Sequence, residues 1–466
     1  MATFYVANFG CRATQADGAA IERQFREHGL DRAGEPETAG IVVLNTCTVT
    51  AAADHDARAA VRRIHRKNPK ARIVVTGCYA QRAPEEIAAL PGVSSVIGNS
   101  HKHQLAEIAL LAPYISDGES GPSQSGFVPI TQLTPDAQGQ RSALRSPIFV
   151  SDIFAHTELQ AAPVFEAANE RTRPNLKVQD GCDNRCSFCV IPYVRGHSRS
   201  LPLAEVIREV EALVSAGYRE VVISGINLGR WGRDLSGSAA SRFEHLVRAI
   251  LNETALQKLR ISSVEPMDWS DELIHQVANS PRIAKHAHVP MQSGSDAVLR
   301  RMHRKYRPWH YREKIEQIHA AMPDAAIGAD VMTGFPGETD AEFEETRRQI
   351  EELPFTYLHV FTYSARPGTP AASMFNQVPT QVARERNRIL RDLSETKRLA
   401  FMQRLIGRAV QAITLNGRND DGKEKYTEGL TDNYLPVRMQ GLHPPNRWMS
   451  VRIEKVMDGT LAGIVA

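Results

Sequence analysis

The chain contains 466 residues, with 56 Lys and Arg against 53 Asp and Glu and a formal net charge of +3. This near-neutral balance excludes a uniformly basic nucleic-acid-binding surface, so any basic contact region must be local. With 42% hydrophobic and 23% charged residues, the composition is that of a folded, core-forming chain, and the length predicts about three domains at roughly 150 residues each.

Residues 1–112 predict an α/β domain. Apolar, β-rich runs at 3–10, 41–46 and 72–77 are interpreted as strands, and amphipathic helical patterns separate them. This β-α-β alternation predicts a flavodoxin-like parallel sheet. The next stretch, 113–146, is rich in Gly, Pro, Ser and Gln and is interpreted as a flexible linker or insertion.

Residues 168–400 alternate candidate strands with helical stretches and predict a (β/α)6 partial TIM barrel. The carboxyl ends of the strands, where barrel enzymes place their chemistry, carry Cys, Gly, Asn, Glu, Gln and Ser. An Arg-rich helix closes this region, and 404–466 then changes to short alternating β-runs that predict a small β-barrel. The six candidate barrel strands are LKVQDG, EVVISGIN, LRISSVEP, HAHVPMQS, AIGADVMTGFPG and LHVFTYSAR.

The sequence has no run of the roughly 18 to 20 apolar residues that a membrane-spanning helix needs. Its first residues, MATFYVANFGC, lack the basic and apolar regions of a secretion signal. We therefore expect a cytoplasmic protein without membrane association. Six cysteines in a chain of this length are too few for a disulfide scaffold, so another role is expected for them.

Cys182, Cys186 and Cys189 stand in DGCDNRCSFC, a C-x3-C-x2-C pattern directly after the first barrel strand. This spacing brings three thiolates within reach of one metal centre. A zinc site commonly takes a fourth ligand from a second CxxC or HxxxH pair, and the sequence has no such pair. Three ligands to a four-iron cluster leave one iron open, and Phe188 would shield it from water. A zinc loop or three buried structural cysteines are the alternatives.

This loop at the mouth of a six-stranded βα array resembles the radical S-adenosylmethionine (SAM) enzymes. The resemblance implies that the three cysteines hold a catalytic 4Fe-4S cluster, whose open iron chelates SAM, and that SAM cleavage yields a 5′-deoxyadenosyl radical. Further SAM contacts would come from later strand ends, although Glu265 could instead be an ion-pair or helix-start carboxylate. These candidate contacts are Ser224, Gly225, Asn227, Glu265, Gln292 and Ser293.

Cys11, Cys47 and Cys78 each stand where a predicted strand of the first sheet ends, in NFGC, LNTC and VTGC. The carboxyl ends of adjacent parallel strands meet at one edge, so we expect the three thiolates to converge on a second metal cluster. Gly10 and Gly77 would allow close backbone approach, and a helix start after each cysteine would lower the thiol pKa. The alternative is three inert buried thiols.

Two cysteine sets in this order, followed by a small β-module, resemble the radical SAM methylthiotransferases. The motifs are most similar to the branch that converts N6-threonylcarbamoyladenosine at position 37 of tRNA to its 2-methylthio form. The chain departs from the family at Thr14, where Asn is common, and in its long insertion before the barrel. The motifs that carry the resemblance are NTCTVTAAADHDARAAVRR, VTGCYAQ, QDGCDNRCSFCVIPYVRGHSRS, VVISGINLGRWG, HVPMQSGSDAVLRRM, DVMTGFPGET and YSARPGTPAA.

The resemblance implies a transferase that uses SAM and two 4Fe-4S clusters. Cys11, Cys47 and Cys78 would bind the auxiliary cluster that holds or donates sulfur. One SAM would methylate that sulfur, and a second would yield the radical that removes hydrogen from C2 of the adenine. A radical is needed because this C2–H bond is too weakly acidic for a side-chain base. Implied partners are the tRNA anticodon stem-loop, a flavodoxin- or ferredoxin-type electron donor and a sulfur donor, and we expect a monomer.

Three alternatives remain open from the sequence. The same chemistry could act on isopentenyl-adenosine in tRNA or on ribosomal protein S12, and the chain could be a non-catalytic, metal-containing RNA-binding protein.

Candidate RNA contacts lie in two regions. Basic residues cluster around the second helix and after the cysteine loop, where the alternative is a solvated helix face: Arg62, Arg63, Arg66, Lys67, Lys70, Arg72, Arg195, His197 and Arg199. The C-terminal module resembles the TRAM domain of RNA-modifying enzymes and offers charged and stacking side chains: Lys423, Lys425, Arg438, Arg447, Tyr426, Tyr434 and Trp448.

Overall fold

The computed structural model describes residues 2–111, 146–156, 159, 172–237, 241–420 and 425–466. The first domain has strands β1 Thr3–Asn8, β2 Asp31–Arg32, β3 Ile41–Thr46, β4 Arg72–Gly77, β5 Val93–Ile97 and β6 Ile148–Phe149. Its helices are α1 Arg12–Glu27, α2 Ala51–Lys67, α3 Cys78–Arg82, α4 Pro84–Ala88 and α5 Leu105–Leu111.

These strands form one parallel sheet in the order β2-β1-β3-β4-β5-β6, which confirms the predicted parallel-sheet domain. Strand β3 is buried at every position, because apolar clusters that include Phe25 on one face and Tyr79 on the other cover the sheet. Strand β6 pairs with β5 through Val96 and Ile148, so the sheet takes strands from both sides of 113–146. All of that predicted linker except Ser146 lies outside the described residues.

The central domain has strands β7 Asn175–Asp180, β8 Arg199–Ser200, β9 Glu220–Gly225, β10 Lys258–Ile261, β11 His286–His288, β12 Ala326–Thr333 and β13 Tyr357–Thr362. Its helices are α6 Ile191–Arg195, α7 Leu203–Ser215, α8 Phe243–Glu253, α9 Asp271–Asn279, α10 Asp296–Arg301, α11 Pro308–Ala321, α12 Asp340–Glu352 and α13 Thr380–Gln403.

The six predicted barrel strands are β7, β9, β10, β11, β12 and β13. They fall into two sheets, β10-β9-β7-β8 and β11-β12-β13, which single bridges from Leu259 to Ile283 and from Ser263 to His288 join into one curved array. This arrangement confirms the partial barrel. The GFPGET run after β12 is a turn, and it leads into α12 through a capping box between Thr339 and Glu342.

The C-terminal module is a closed barrel of β14 Ala409–Asp420, β15 Lys425–Thr431, β16 Pro436–Gln440, β17 Trp448–Met457 and β18 Thr460–Val465. The strands follow the order β14-β15-β16-β18-β17, which confirms the predicted small β-barrel. The β-runs predicted in this region are AVQAITL, YLPVRMQ, WMSVRIEKV and TLAGIVA, and they do not include β15, whose run KYTEGLT holds few apolar residues and a glycine. Met402 and Leu405, at the end of α13, pack into the core of this barrel.

Buried Arg side chains join the domains. Arg260, fully buried, donates to Glu220 at 2.6 Å and to the backbone oxygen of Asp432 at 3.0 Å, which ties the C-terminal barrel to the central one. Arg366 binds Asp54 of α2 and thereby ties the central domain to the first. Among the described residues, no helix combines the length and apolar character that crossing a membrane requires.

Candidate active site

The loop between β7 and α6 carries Cys182, Cys186 and Cys189, and hydrogen-bond donors surround it. The Asn227 side-chain amide lies 3.6 Å from Cys182 Sγ, and the Arg304 guanidinium donates to Cys186 Sγ at 3.3 Å. Burial raises the pKa of the Cys189 thiol to about 12. The Cys189 thiol therefore ionises at neutral pH only with a compensating positive charge, which a bound metal centre would supply.

The distances between the cysteine sulfur atoms can be compared with those around a single zinc ion. Tetrahedral Zn–S bonds of about 2.3 Å place the sulfurs about 3.8 Å apart. Across the described ranges, the one set of three His, Cys, Asp or Glu ligand atoms lying within 4.8 Å of one another is that of His288, Asp330 and His359. In neither cysteine set do all three sulfur atoms lie as close together as one zinc ion requires.

A cavity of about 640 Å³ opens at the carboxyl ends of the barrel strands, beside the cysteine loop. The Ser224 Oγ, Asn227 Oδ1 and Gln292 Oε1 atoms are buried and have no hydrogen-bond partner among the residues described. Gln292 also has a φ of +63°, a strained conformation of the kind that functional sites retain. All three atoms belong to residues on one cavity wall, where the amino and hydroxyl groups of SAM can pair with them. The predicted SAM contacts on the cavity wall are Ser224, Gly225, Asn227, Glu265 and Gln292.

Ser293 does not belong to this cavity. Its hydroxyl is buried, lies 3.1 Å from Thr346 Oγ1 and accepts from the Ser295 backbone N–H. The prediction that Ser293 contacts SAM is therefore wrong, because the turn after β11 directs this side chain towards α12.

Glu265 is held by Arg304, a residue that the sequence analysis missed. The guanidinium of Arg304 binds the Glu265 carboxylate and Cys186 Sγ at the same time, and its side chain is almost fully buried. The ion-pair interpretation of Glu265 thus holds, and the pair still lines the cavity. Within the run RMHRKYRP nothing distinguishes Arg304 from its basic neighbours, because only the fold separates buried from exposed positions.

Cys11, Cys47 and Cys78 lie at the ends of β1, β3 and β4. Cys11 lines the same cavity as the cysteine loop, whereas Cys47 and Cys78 are buried behind it. A β-carbon at Gly10 would lie 2.4 Å from that of Cys47, so glycine is needed for this approach. Burial raises the pKa of Cys47 to about 11, and the neighbouring Cys78 and Cys11 add to the shift. The predicted lowering is wrong for Cys47, because desolvation outweighs any helix-start effect.

A buried ionic network lies beneath these cysteines, where the first and central domains meet. Arg195 donates to Asp17 and to Asp180, both at 2.9 Å, and Lys102 donates to Asp17 at 3.0 Å. Lys177 binds both aspartates. Although burial opposes ionisation, these cations hold the pKa values of Asp17 and Asp180 well below their ordinary range.

Two predicted phosphate contacts, Arg195 and Arg199, are wrong because both side chains are buried and bound within the protein. Arg195 is 2% exposed and belongs to the ionic network, and Arg199 is buried with its guanidinium on the backbone oxygens of His156 and His197. Neither side chain reaches solvent. His197 is exposed and pairs with Asp183 at 2.7 Å.

Across the cavity from the cysteine loop, His288 and His359 bracket Asp330. His288 Nε2 lies 3.2 Å and His359 Nδ1 lies 3.3 Å from the Asp330 carboxylate. Although burial opposes it, these two hydrogen bonds hold the pKa of Asp330 below its ordinary range. The Tyr357 hydroxyl lies 3.0 Å from His288 Nδ1 and 2.7 Å from His286 Nε2, which completes a polar wall.

Tyr434 reaches this wall from the C-terminal barrel. Its φ of +66° is unusual for an aromatic residue, and its ring lies 4.6 Å from that of His286. Arg12 of the first domain donates to the Tyr434 hydroxyl at 3.0 Å. Tyr434 was predicted to be available for stacking on RNA, and the structure places it on the cavity wall.

The remaining candidate RNA contacts lie away from the cavity wall. Arg62, Arg63, Arg66, Lys67 and Lys70 are exposed on or just after α2, whereas Arg72 donates to the backbone oxygen of Ala109. Arg438 stacks on Tyr426 at 5.1 Å, Lys258 stacks on Trp448 at 5.0 Å, and Lys425 and Arg447 are exposed. Lys423 lies outside the described residues.

Two family models match the chain. One is described as an uncharacterized protein family, UPF0004, and covers residues 3–98; the other is the radical SAM superfamily and covers residues 176–350. Among solved structures, the radical SAM methyltransferase TsrM from Kitasatospora setae, with cobalamin and a 4Fe-4S cluster bound, has a TM-score of 0.55 at 15% identity. This likeness covers 80% of this chain and 77% of that one, and it supports the fold alone.

Curated relatives match almost the whole chain. The threonylcarbamoyladenosine tRNA methylthiotransferase MtaB of Bacillus subtilis is 36% identical over 95% of this chain and 91% of its own length. MtaB of Rickettsia prowazekii is 34% identical over 93% and 90%. A tRNA-2-methylthio-N(6)-dimethylallyladenosine synthase from Novosphingobium aromaticivorans is 33% identical over 88% and 86%. The chain therefore belongs to the methylthiotransferases of the radical SAM superfamily, the family that includes MtaB.

Proposed function

We propose that this enzyme converts N6-threonylcarbamoyladenosine in tRNA to its 2-methylthio form. The observation that carries the proposal is that Cys11 and all three cysteines of the loop line one cavity. A single substrate in that cavity would meet both the radical-forming and the sulfur-bearing side.

The chain's own side chains would bind the cofactors, orient them and exclude water. Cys182, Cys186 and Cys189 would hold the SAM cluster, and we propose that Cys11, Cys47 and Cys78 hold a second 4Fe-4S cluster. When bound, these groups supply hydrogen abstraction and the transfer of sulfur and methyl. The unpartnered oxygens on β9 and after β11 would accept hydrogen bonds from SAM.

Two further features serve the cluster loop. Phe188 lines the cavity and packs edge-on against Phe335 at 6.4 Å, which gives the loop an apolar cover. Arg304 would stabilise the Cys186 thiolate through its 3.3 Å hydrogen bond. Phe188 would keep bulk water from a bound cluster, and the positive charge of Arg304 would offset the negative charge of its thiolates.

A second opening suggests how the anticodon stem-loop approaches. A cavity of about 430 Å³ lies between α13 and the C-terminal barrel, and it shares Tyr357, His359 and Tyr434 with the active-site cavity. Arg391 and Arg398 of α13 line it, so phosphates could lie beside the site while one base enters. The exposed Lys425 and Arg447 would extend this contact along the C-terminal barrel. We further propose that a flavodoxin- or ferredoxin-type protein supplies the electrons and that a separate donor supplies the sulfur.

Nucleoside mass spectrometry of tRNA tests the proposal. A strain that lacks this gene should lose 2-methylthio-N6-threonylcarbamoyladenosine and accumulate its unmethylthiolated precursor. Complementation with the wild-type gene should restore the modification, and complementation with a Cys186→Ala variant should not. An unchanged level in the deletion strain would refute the proposal, and loss of 2-methylthio-isopentenyl-adenosine alone would assign the enzyme to the other tRNA substrate.

A further inference from the structure

Among the residues that the structure describes, Arg12 is a cation of the active-site cavity that has no carboxylate partner. Arg12 is half-buried on the cavity wall, and its guanidinium donates a hydrogen bond to the neutral Tyr434 hydroxyl at 3.0 Å. In the part of the chain that the structure describes, no Asp or Glu forms an ion pair with it. A partly desolvated guanidinium in this state favours an anionic ligand, which it can grip with two parallel hydrogen bonds.

Tyr434 adds a second donor at the same place. Because its hydroxyl accepts from Arg12, its own proton is free to point towards a ligand oxygen. The left-handed backbone at φ +66° holds the ring on the cavity, and the His286 ring supports it at 4.6 Å. Arg12 and Tyr434 thus form a preorganised pair of donors contributed by two different domains.

The opposite end of the wall does not suit an anion. Asp330 already carries a negative charge there, balanced by its hydrogen bonds to His288 and His359. A second carboxylate beside it would be repelled, so the cavity has one end suited to a carboxylate and one that disfavours it.

We propose that Arg12 and Tyr434 bind the carboxylate of the N6 substituent of the substrate adenosine. This inference rests on the proposed function, because the threonine part of N6-threonylcarbamoyladenosine carries a carboxylate and a dimethylallyl substituent carries none. The N6 substituent and C2 flank the same ring nitrogen of adenine, so a carboxylate site must lie close to the reacting centres. Arg12 meets this requirement because it directly follows Cys11.

Binding measurements with matched RNAs test the site without turnover. The probes are two synthetic anticodon stem-loops, one with N6-threonylcarbamoyladenosine and one in which the threonine carboxylate is a neutral carboxamide. The full-length protein, reconstituted with iron and sulfide, should bind the acid about tenfold more tightly than the amide, equal to about 1.4 kcal/mol. In Arg12→Gln this ratio should fall to about one, because the acid loses more affinity than the amide when the guanidinium is removed.

Controls separate this site from general effects. Arg23→Gln, on the same helix and exposed, should keep the tenfold ratio, Arg12→Lys should keep part of it, and Tyr434→Phe should lower it. Equal iron content would show that Arg12→Gln still assembles its clusters. A wild-type ratio of one, or an Arg12→Gln variant that still prefers the acid, would overturn the carboxylate site alone. Failure to bind either RNA would contradict the proposed function and this inference with it.

Discussion

Arg304 donates a hydrogen bond of 3.3 Å to the Sγ atom of Cys186, from a side chain almost completely buried beneath the cysteine loop. Burial opposes its charge, but Tyr306, Glu265 and Cys186 together raise its pKa well above the ordinary value, so it is positively charged throughout the working pH range.

Replacing Arg304 with Met should make the reduction potential of the SAM cluster more negative. Loss of a donor and of a positive charge disfavours the reduced, more negative state, and SAM cleavage should fall about 10- to 100-fold. EPR-monitored redox titration and a 5′-deoxyadenosine assay measure the two effects. Lys305→Met, at an exposed neighbouring position, is the control, and an unshifted potential in Arg304→Met would contradict this role.

Iron content should separate the two cysteine sets. Wild-type protein prepared anaerobically should hold about eight irons per chain, as two four-iron clusters. Replacing Cys11, Cys47 and Cys78 together with Ala should leave about four irons and preserve SAM cleavage while abolishing methylthiolation. Iron analysis and Mössbauer spectroscopy check this, and a triple variant that still held eight irons would disprove the second cluster.

Gly77→Ala should disturb the auxiliary site through the backbone. Gly77 has a φ of +98°, and an added β-carbon would lie 2.3 Å from the Thr46 carbonyl oxygen, so Cys78 would have to move. We expect about half of the iron to be lost, together with a lower melting temperature. Gly29→Ala is the matched control, because it has a φ of +78° with no atom within 4 Å, and should cost only about 1 kcal/mol. Full iron retention in Gly77→Ala would argue against this placement.

Asp17→Asn should destabilise the junction between the first two domains by about 3–5 kcal/mol, since it leaves Lys102, Lys177 and Arg195 short of a counter-charge. The folded-state pKa of Asp17 is depressed, so its contribution is complete above the unfolded value of about 3.9 and is lost only as pH falls towards the folded value. The difference in melting temperature from wild type should therefore be constant between pH 5.5 and 8. Asp31→Asn, on the surface, should change little. A difference that shrinks within this range would contradict the assignment.

The sequence predicted the architecture well, because strand periodicity and loop spacing are local properties. The runs ending in Cys11, Cys47 and Cys78 identified strand ends, and parallel strands bring their carboxyl ends to one edge. Long-range partners were not predictable in this way. Arg195 reads as a phosphate contact beside the cysteine loop, and only the fold shows that Asp17, 178 residues earlier, neutralises it.

Tyr434 is a second residue whose long-range contacts could not be predicted from the sequence. An aromatic residue in a β-barrel turn indicates RNA stacking, but the docking of that barrel decides where the turn points. Arg260, holding the backbone of Thr431 and Asp432, fixes that docking through contacts more than 170 residues apart.

Arg12 and Tyr434 are 422 positions apart, and they meet only after translation has passed the last barrel strands. A chain ended early by a premature stop codon would retain all six cysteines and the loop that surrounds them, yet lack half of the donor pair. Such a fragment would keep the cysteine ligands but lose one of the two donors that we propose for binding the substrate carboxylate.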